Sequence, residues 1–235
     1  MLAIYKKEMR SYFTGVIGYV FLVLFLAIGG GIFCLSTLYA MTANASNYFI
    51  YMLIFSAVVL PLLTMKSFSD ERKTKTEQLL LTAPVSITGM VLGKFLAAVT
   101  MFAGALLVNS LCFLFLIPFA QLQFASIIGS FVALLLVGVV FIAIGLFISS
   151  LTENQLTAAI GTMAVILVLL IIGVLNTFLP NDYWLRYVIN CISFFSRFQT
   201  FVSGIFDLSG IIYYLTVGAL FVYLTVRTYD RRRYN

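Results

Sequence analysis

Six apolar stretches alternate with short polar segments along the chain, at about 16–40, 47–65, 90–117, 124–150, 156–179 and 210–226. Each falls within or above the roughly 17–25 residues that a helix needs to cross the hydrocarbon of a bilayer. The pattern therefore predicts an all-α integral membrane fold of six transmembrane helices. Two further segments have a different pattern. In LAIYKKEMRSYF the apolar Leu2, Tyr5, Met9, Tyr12 and Phe13 recur at helical spacing while Lys6, Lys7, Glu8 and Arg10 fall largely elsewhere. That pattern predicts a helix lying along the membrane interface, with a frayed terminus as the alternative. Residues 181–209 are rich in aromatics but interrupted by Asp182, Arg186, Asn190, Arg197 and Asp207. They suit one or two short helices dipping into the outer leaflet, with Tyr183, Trp184 and Tyr187 at head-group depth.

Composition agrees with the pattern. Of the 235 residues, 63% are hydrophobic and 9% charged, and the mean hydropathy is +1.11, far above a soluble domain. The first apolar run is too long for a signal-peptide core and is followed by no small-residue cleavage site, so it is expected to stay in place. The net charge of +6 has no soluble domain to carry it, which argues against nucleic acid and for orientation in the bilayer. Twelve of the fourteen basic residues lie before span one, between spans two and three, at the head of span three (Lys94), or after span six; only Arg186 and Arg197 lie on the other side. By the positive-inside rule both termini and the segment after Lys66 are cytoplasmic. Lys94, a turn into the third span, is expected to snorkel to the cytoplasmic surface. Pro61 is expected to kink the second span. Gly29, Gly30, Gly31, Gly89 and Gly93 offer places for close helix approach.

Several chemistries lack their residues. There is no histidine, hence neither the commonest general base nor the commonest metal ligand. Cys34, Cys112 and Cys191 are odd in number and widely spaced, which reads as buried thiols and not as a disulfide framework or a metal site. The apolar spans hold no carboxylate for a proton relay, and HExxH, GxSxG and a P-loop are all missing. Any energised work needs an ATP site on another chain.

Charge is concentrated in one place. Between Asp70 and Glu77 six of eight residues are charged, and Leu79, Leu80, Leu81 and Pro84 follow. Glu71 and Lys75 stand four apart in the favourable order, the leucines offer an apolar end, and the proline stops the helix. A short amphipathic helix of this kind either docks its leucines in a groove of a soluble partner or rests on lipid head groups.

The stretch ERKTKTEQLLLTAPVSITGMVLGK, Glu71 to Lys94, resembles the cytoplasmic coupling segment of type-2 ABC exporter permeases. YKKEMRSYF at 5–13 is similar to their interfacial elbow helix, GLFISSLTENQLTAA at 145–159 to the turn between their fourth and fifth spans, and FFSRFQTFVSGIFDL at 194–208 to their outer segment. The likeness is nearest to the small permeases associated with gliding-motility ABC systems. Lys75-Thr76 replaces a Gly-Thr found in many relatives, and Gln78 a frequent Glu.

The resemblance implies one permease domain over 1–235, with an elbow helix at 1–15, a coupling segment at 66–89 and outer helices at 180–209. It implies a bacterial cytoplasmic membrane, export of a hydrophobic or amphiphilic substrate such as a lipid, lipid-linked glycan, peptide or drug, and no catalysis or cofactor on this chain. ATP and magnesium would sit on a soluble nucleotide-binding ATPase. A second permease copy or a related permease would complete the pair, and gliding-type systems add a membrane subunit with a large extracellular domain. The expected ATPase contact comprises Glu71, Arg72, Lys75, Glu77, Gln78, Leu79, Leu80, Leu81 and Pro84. The elbow comprises Tyr5, Lys6, Lys7, Glu8 and Arg10, and the outer gate Phe194, Phe195, Arg197 and Phe198. For Arg197 the plainer reading is pairing with Asp182, Asp207 or lipid phosphate. The competing functional readings are a non-transporting scaffold of a motility or secretion complex and, against the missing residues, a membrane enzyme.

Overall fold

A computed structural model of the protein describes residues 1–39, 45–75, 86–116, 123–176 and 193–234. Among these the only regular elements are helices: α1 (Leu2–Thr14), α2 (Val16–Phe33), α3 (Ser46–Lys73), α4 (Ile87–Ser110), α5 (Phe124–Leu151), α6 (Gln155–Leu175), α7 (Phe194–Val202) and α8 (Leu208–Tyr234). Six of them are long and apolar enough to cross a membrane, so the all-α six-span expectation holds. α2 continues in π-type turns through Cys34–Tyr39, and α4 in 3-10 turns through Leu111–Leu116.

Local chemistry sets where the helices begin. The extended backbone of Gly15 separates α1 from α2, and a Cβ at Gly18 would stand 2.1 Å from the Tyr12 carbonyl oxygen. Glycine therefore lets the interfacial helix fold tightly onto the first span. Ser86, Asn154 and Ser193 cap α4, α6 and α7, each side chain accepting from a backbone N–H of the first turn. A side-chain oxygen there meets donors that have no partner within the helix. α3 runs on unbroken through Pro61.

The core is built around α3 and α5, whose spans are 61% and 67% buried, against 28% or 33% in the other four. They form the most extensive helix pair in the protein. Glycines of α5 allow the close approaches: a Cβ on Gly145 would meet Thr64 Oγ1 of α3 at 2.2 Å, and one on Gly138 would meet the Phe102 ring of α4 at 2.1 Å. Towards the opposite end of the bundle Phe33, Tyr48, Phe49 and Phe113 pack edge to face and stacked, with centroids 5.1 to 6.0 Å apart, the geometries that aromatic quadrupoles favour. Asn109 lies across Gly29 and donates to the Phe25 carbonyl at 3.0 Å.

The structure corrects several expectations. α3 continues eight residues past the apolar stretch that ended at 65, and α8 reaches Tyr234, because charged side chains extend a helix beyond the bilayer as readily as apolar ones do within it. Of the three consecutive glycines only Gly29 has a close neighbour; a Cβ on Gly30 or Gly31 would meet nothing within 4 Å. Gly89 and Gly93 bring α4 against Met1 and Ile4 of α1 rather than against another span. Cys34 is exposed and Cys112 only partly covered, since both sit where α2 and α4 loosen at their ends; Cys191 lies outside the described residues.

A Gly145→Val variant is expected to lose about 1–3 kcal/mol through overpacking of the α3–α5 contact. Gly30→Ala, facing open space, should be neutral or slightly stabilising. Thermal unfolding in detergent distinguishes the two.

Candidate coupling site

The charged end of the bundle gathers α1, the last two turns of α3, the start of α4, the α5–α6 turn and the tail of α8. Its centre is Lys94, whose side chain is 2% exposed. Its ammonium lies 2.8 Å from Glu71 Oε1 and 3.3 Å from Glu8 Oε1. It also donates to the Ser67 carbonyl at 2.5 Å and stands 4.8 Å from the Phe68 ring centroid. An ammonium has three donors, and three oxygens receive them. A buried cation without such partners would cost several kcal/mol. Lys7 adds an outer contact, 3.8 Å from Glu71.

Lys94 thus does not snorkel. The small faces of Gly89 and Gly93 allow α1 to lie across α4, where Cβ atoms on them would stand 3.2–3.8 Å from Met1 and Ile4. α1 thereby covers the route to the head groups and supplies Glu8 in place of water. The same ion group overturns the expected Glu71–Lys75 pair. α3 ends at Lys73, where Thr74 N–H returns to the Asp70 carbonyl at 2.9 Å, and Lys75 adopts φ +56°. Lys75 is therefore off the helical face, and Glu71 turns inward to Lys94. That left-handed backbone is one that glycine adopts more readily than lysine.

A second set of contacts holds the opposite side of the α3 tip. Arg72 pairs with Glu153 at 2.9 Å and donates to the Leu151 carbonyl at 2.7 Å, while Gln155 Nε2 donates to Asp70 Oδ1 at 2.7 Å. Ser149 Oγ enters the α3 backbone itself: it receives the N–H groups of Phe68 and Ser69, both at 3.2 Å, and donates to the Met65 carbonyl at 3.1 Å. Arg232 of α8 donates to the Ser150 carbonyl at 2.7 Å and lies over the Tyr229 ring, which packs on Phe68. Three helices, α5, α6 and α8, are thereby gathered at one end of α3.

Of the predicted contact residues, Glu71 and Arg72 are brought into this site, and Lys75 flanks it. Glu77, Gln78, Leu79, Leu80, Leu81 and Pro84 lie outside the described residues. On α1, Glu8 and Lys7 join the site; Tyr5 reaches Thr100 Oγ1 at 3.4 Å, while Lys6 and Arg10 are exposed. Burial, reinforced by Glu8, pushes the Tyr12 phenol above its ordinary pKa. Sequence reasoning missed Ser149, Glu153, Gln155 and Arg232. Their only signal is that each lies beside the end of a span, and nothing in the sequence pairs them with α3.

At the other end, α7 packs against α5 and α6, with Ser126 Oγ donating to the Val202 carbonyl at 2.7 Å. Phe194 and Phe198 are buried, and Phe195 is half-buried. Arg197 donates to Ser209 Oγ at 2.9 Å and stacks over Tyr213 at 4.4 Å. Its partners are thus on α8; Asp207 instead accepts from the Ser209 N–H at 2.9 Å, and Asp182 lies outside the described residues. Among the described residues no group of His, Cys, Asp or Glu could hold a metal ion.

Six apolar spans, a latched charged tip and an aromatic-packed helix at the opposite end define a multi-pass helical membrane protein without a catalytic constellation among the described residues. Over residues 2–229 the sequence matches the family described as ABC-2 family transporter protein, and the chain belongs to that family. Comparison with the curated proteins gives no match.

Replacing Lys94 by Met leaves Glu8 and Glu71 without their shared cation and is expected to cost about 3–5 kcal/mol. The triple variant Glu8→Gln/Glu71→Gln/Lys94→Met should recover most of that loss, because no unpaired charge remains. Lys75→Gly should raise stability by about 1 kcal/mol by relieving the left-handed backbone. Chemical or thermal unfolding of the detergent-solubilised protein measures all three.

Proposed function

We propose that the protein is the permease subunit of an ATP-driven ABC exporter, whose ATPase is a separate soluble chain that docks on the segment from Glu71 to Leu81. In this reading the charged end of the bundle faces the cytoplasm, in keeping with the distribution of basic residues. The observation that carries the proposal, within the family membership, is the buried Glu8–Lys94–Glu71 group. It joins the interfacial helix, the helix leading into the docking segment and the third span, so a push on any one is delivered to all three. Packed helices tied by buried charges move as a body, whereas loops absorb displacement.

Pairing with a second permease copy follows the same reading, as does location in a bacterial cytoplasmic membrane. The cargo is hydrophobic or amphiphilic, in keeping with spans that are apolar and aromatic away from their charged tips. Within the family we place the chain near the small gliding-type permeases, while Pro84-Val85 and Gly93-Lys94 resemble the coupling segment of type-2 ABC exporter permeases as a whole. That placement adds an accessory membrane subunit with a large outer domain.

Affinity purification of the tagged chain from native membranes, with mass spectrometry of what accompanies it, tests the proposal. A stoichiometric soluble partner bearing a P-loop is the expected result. Leu80→Glu should lower its recovery by more than about tenfold, since a carboxylate buried in an apolar groove costs several kcal/mol. A complex that lacks any ATPase, or one indifferent to Leu80→Glu, would favour a non-transporting scaffold or a different docking surface, respectively.

A further inference from the structure

Beside the Lys94 group lies a cavity of about 250 Å3 between α1, the start of α2 and the end of α3. Its polar wall carries Lys7, Lys66 and Lys94 together with Glu8, Asp70 and Glu71, so it holds three cations and three carboxylates. The Lys94 contacts are closed, but the two at the rim are not: Lys7 stands 3.8 Å from Glu71 and Lys66 stands 3.7 Å from Asp70. Both distances exceed the roughly 2.7–2.9 Å of a charge-assisted hydrogen bond. The lysines are well exposed, at 64% and 48%, whereas their carboxylate partners are 16% and 33% exposed. Ser67, which also lines the cavity, is 7% exposed, and its hydroxyl has no hydrogen-bond partner. Buried hydroxyls left in that state are uncommon in folded proteins.

The charge pattern selects the ligand. A simple anion drawn to Lys7 and Lys66 would face the carboxylates of Asp70 and Glu71 behind them. A simple cation drawn inward would have to pass the two ammonium groups. A zwitterion with an outer phosphate and an inner primary ammonium meets both sets with the correct sign. It replaces two long ion pairs with short hydrogen bonds, and its N–H groups are donors of the kind carboxylates accept. The remaining wall is apolar, with Ile17 of α2 and Leu63 of α3. Next to it α2 exposes Val16 and Val20, at 77% and 44%, along the side where acyl chains would run.

We infer that this cavity binds the phosphoethanolamine-type head group of a membrane lipid, phosphate on Lys7 and Lys66 and ammonium towards Asp70 and Glu71, seated beneath α1. The site is independent of the transport reading, because it requires only the described helices and a bilayer. The lipid would fill the space between the interfacial helix and α3 and hold the two together.

The test is native mass spectrometry of the full-length protein offered equimolar phosphatidylethanolamine and phosphatidylglycerol with identical chains. Phosphatidylethanolamine should be retained about tenfold over phosphatidylglycerol, the discrimination that one charge-assisted hydrogen bond supplies. Lys66→Ala/Asp70→Asn should bring the two near parity; the asparagine keeps an oxygen for Gln155, which guards the fold. Lys7→Ala, at the exposed opposite rim, should weaken retention in the same direction without touching the α5–α6 contacts. Equal or stronger retention of phosphatidylglycerol by the parent protein overturns the proposal, as does an unchanged preference in both variants. Glycerophosphoethanolamine, which has the head group but no chains, should not displace the lipid at equal concentration. If it does, the cavity takes a soluble phosphate–ammonium compound and the lipid assignment falls.

Discussion

An ammonium group taken out of water must be met by oxygens on every side it presents, and Lys94 imposes that requirement on three helices at once. Glu8 has to come from α1, Glu71 from the tip of α3, and the Ser67 carbonyl from the α3 backbone. The position of α1, the length of α3 beyond the bilayer and the inward turn of Glu71 are thus parts of one solution. None is favourable alone. Without the Lys94 group α1 would lose its ionic tie to α3 and α4 and keep only its packing contacts, and the α3 tip would be held from the α5–α6 side alone.

The α3 tip is consequently stiffened from both sides by different chemistry. Towards α1 and α4 the restraint is ionic and buried. Towards α5 and α6 it is a series of hydrogen bonds that involve Ser149, Arg72 and Gln155, and towards α8 it is the packing of Tyr229 on Phe68. Ser149 is unusual among these because its hydroxyl is inserted into the helical hydrogen-bond ladder of α3, the kind of insertion at which helices bend. Below that level Gly145 brings α5 into backbone proximity with α3 at Thr64. A membrane core lacks the hydrophobic driving force that water supplies, so close packing across small residues carries more of the stability. The central α3–α5 pair and its tip therefore form the rigid part of the molecule, while α2, α4, α6 and α8 present apolar sides outward.

Family membership and this geometry bear on function in different ways. The family shows that the chain is an ABC-2 permease. The arrangement at the charged end indicates how such a chain could receive force without any catalytic group among its described residues. The opposite end is built on another principle: α7 is held by aromatic packing and by Tyr214 donating to the Phe194 carbonyl, with Arg197 stacked over Tyr213.

Hydropathy and spacing alone determined the six spans, the N-terminal helix and the end of the bundle at which charge collects, because each depends on transfer between water and hydrocarbon, a property summed along the chain. The same sequence marked Glu71 and Arg72 in the charged segment before the third span, and Lys7 and Glu8 in the N-terminal helix, as two separate sets. Which charges meet was decided only by tertiary structure. Glu71 has Lys75 four residues away and Lys94 twenty-three residues away, and local spacing favours the first. The left-handed backbone at Lys75 and the glycine face of α4 bring the second into contact instead. Pairing of buried charges is a matter of distance in space, set by how closely backbones approach, and a one-dimensional pattern does not contain that distance.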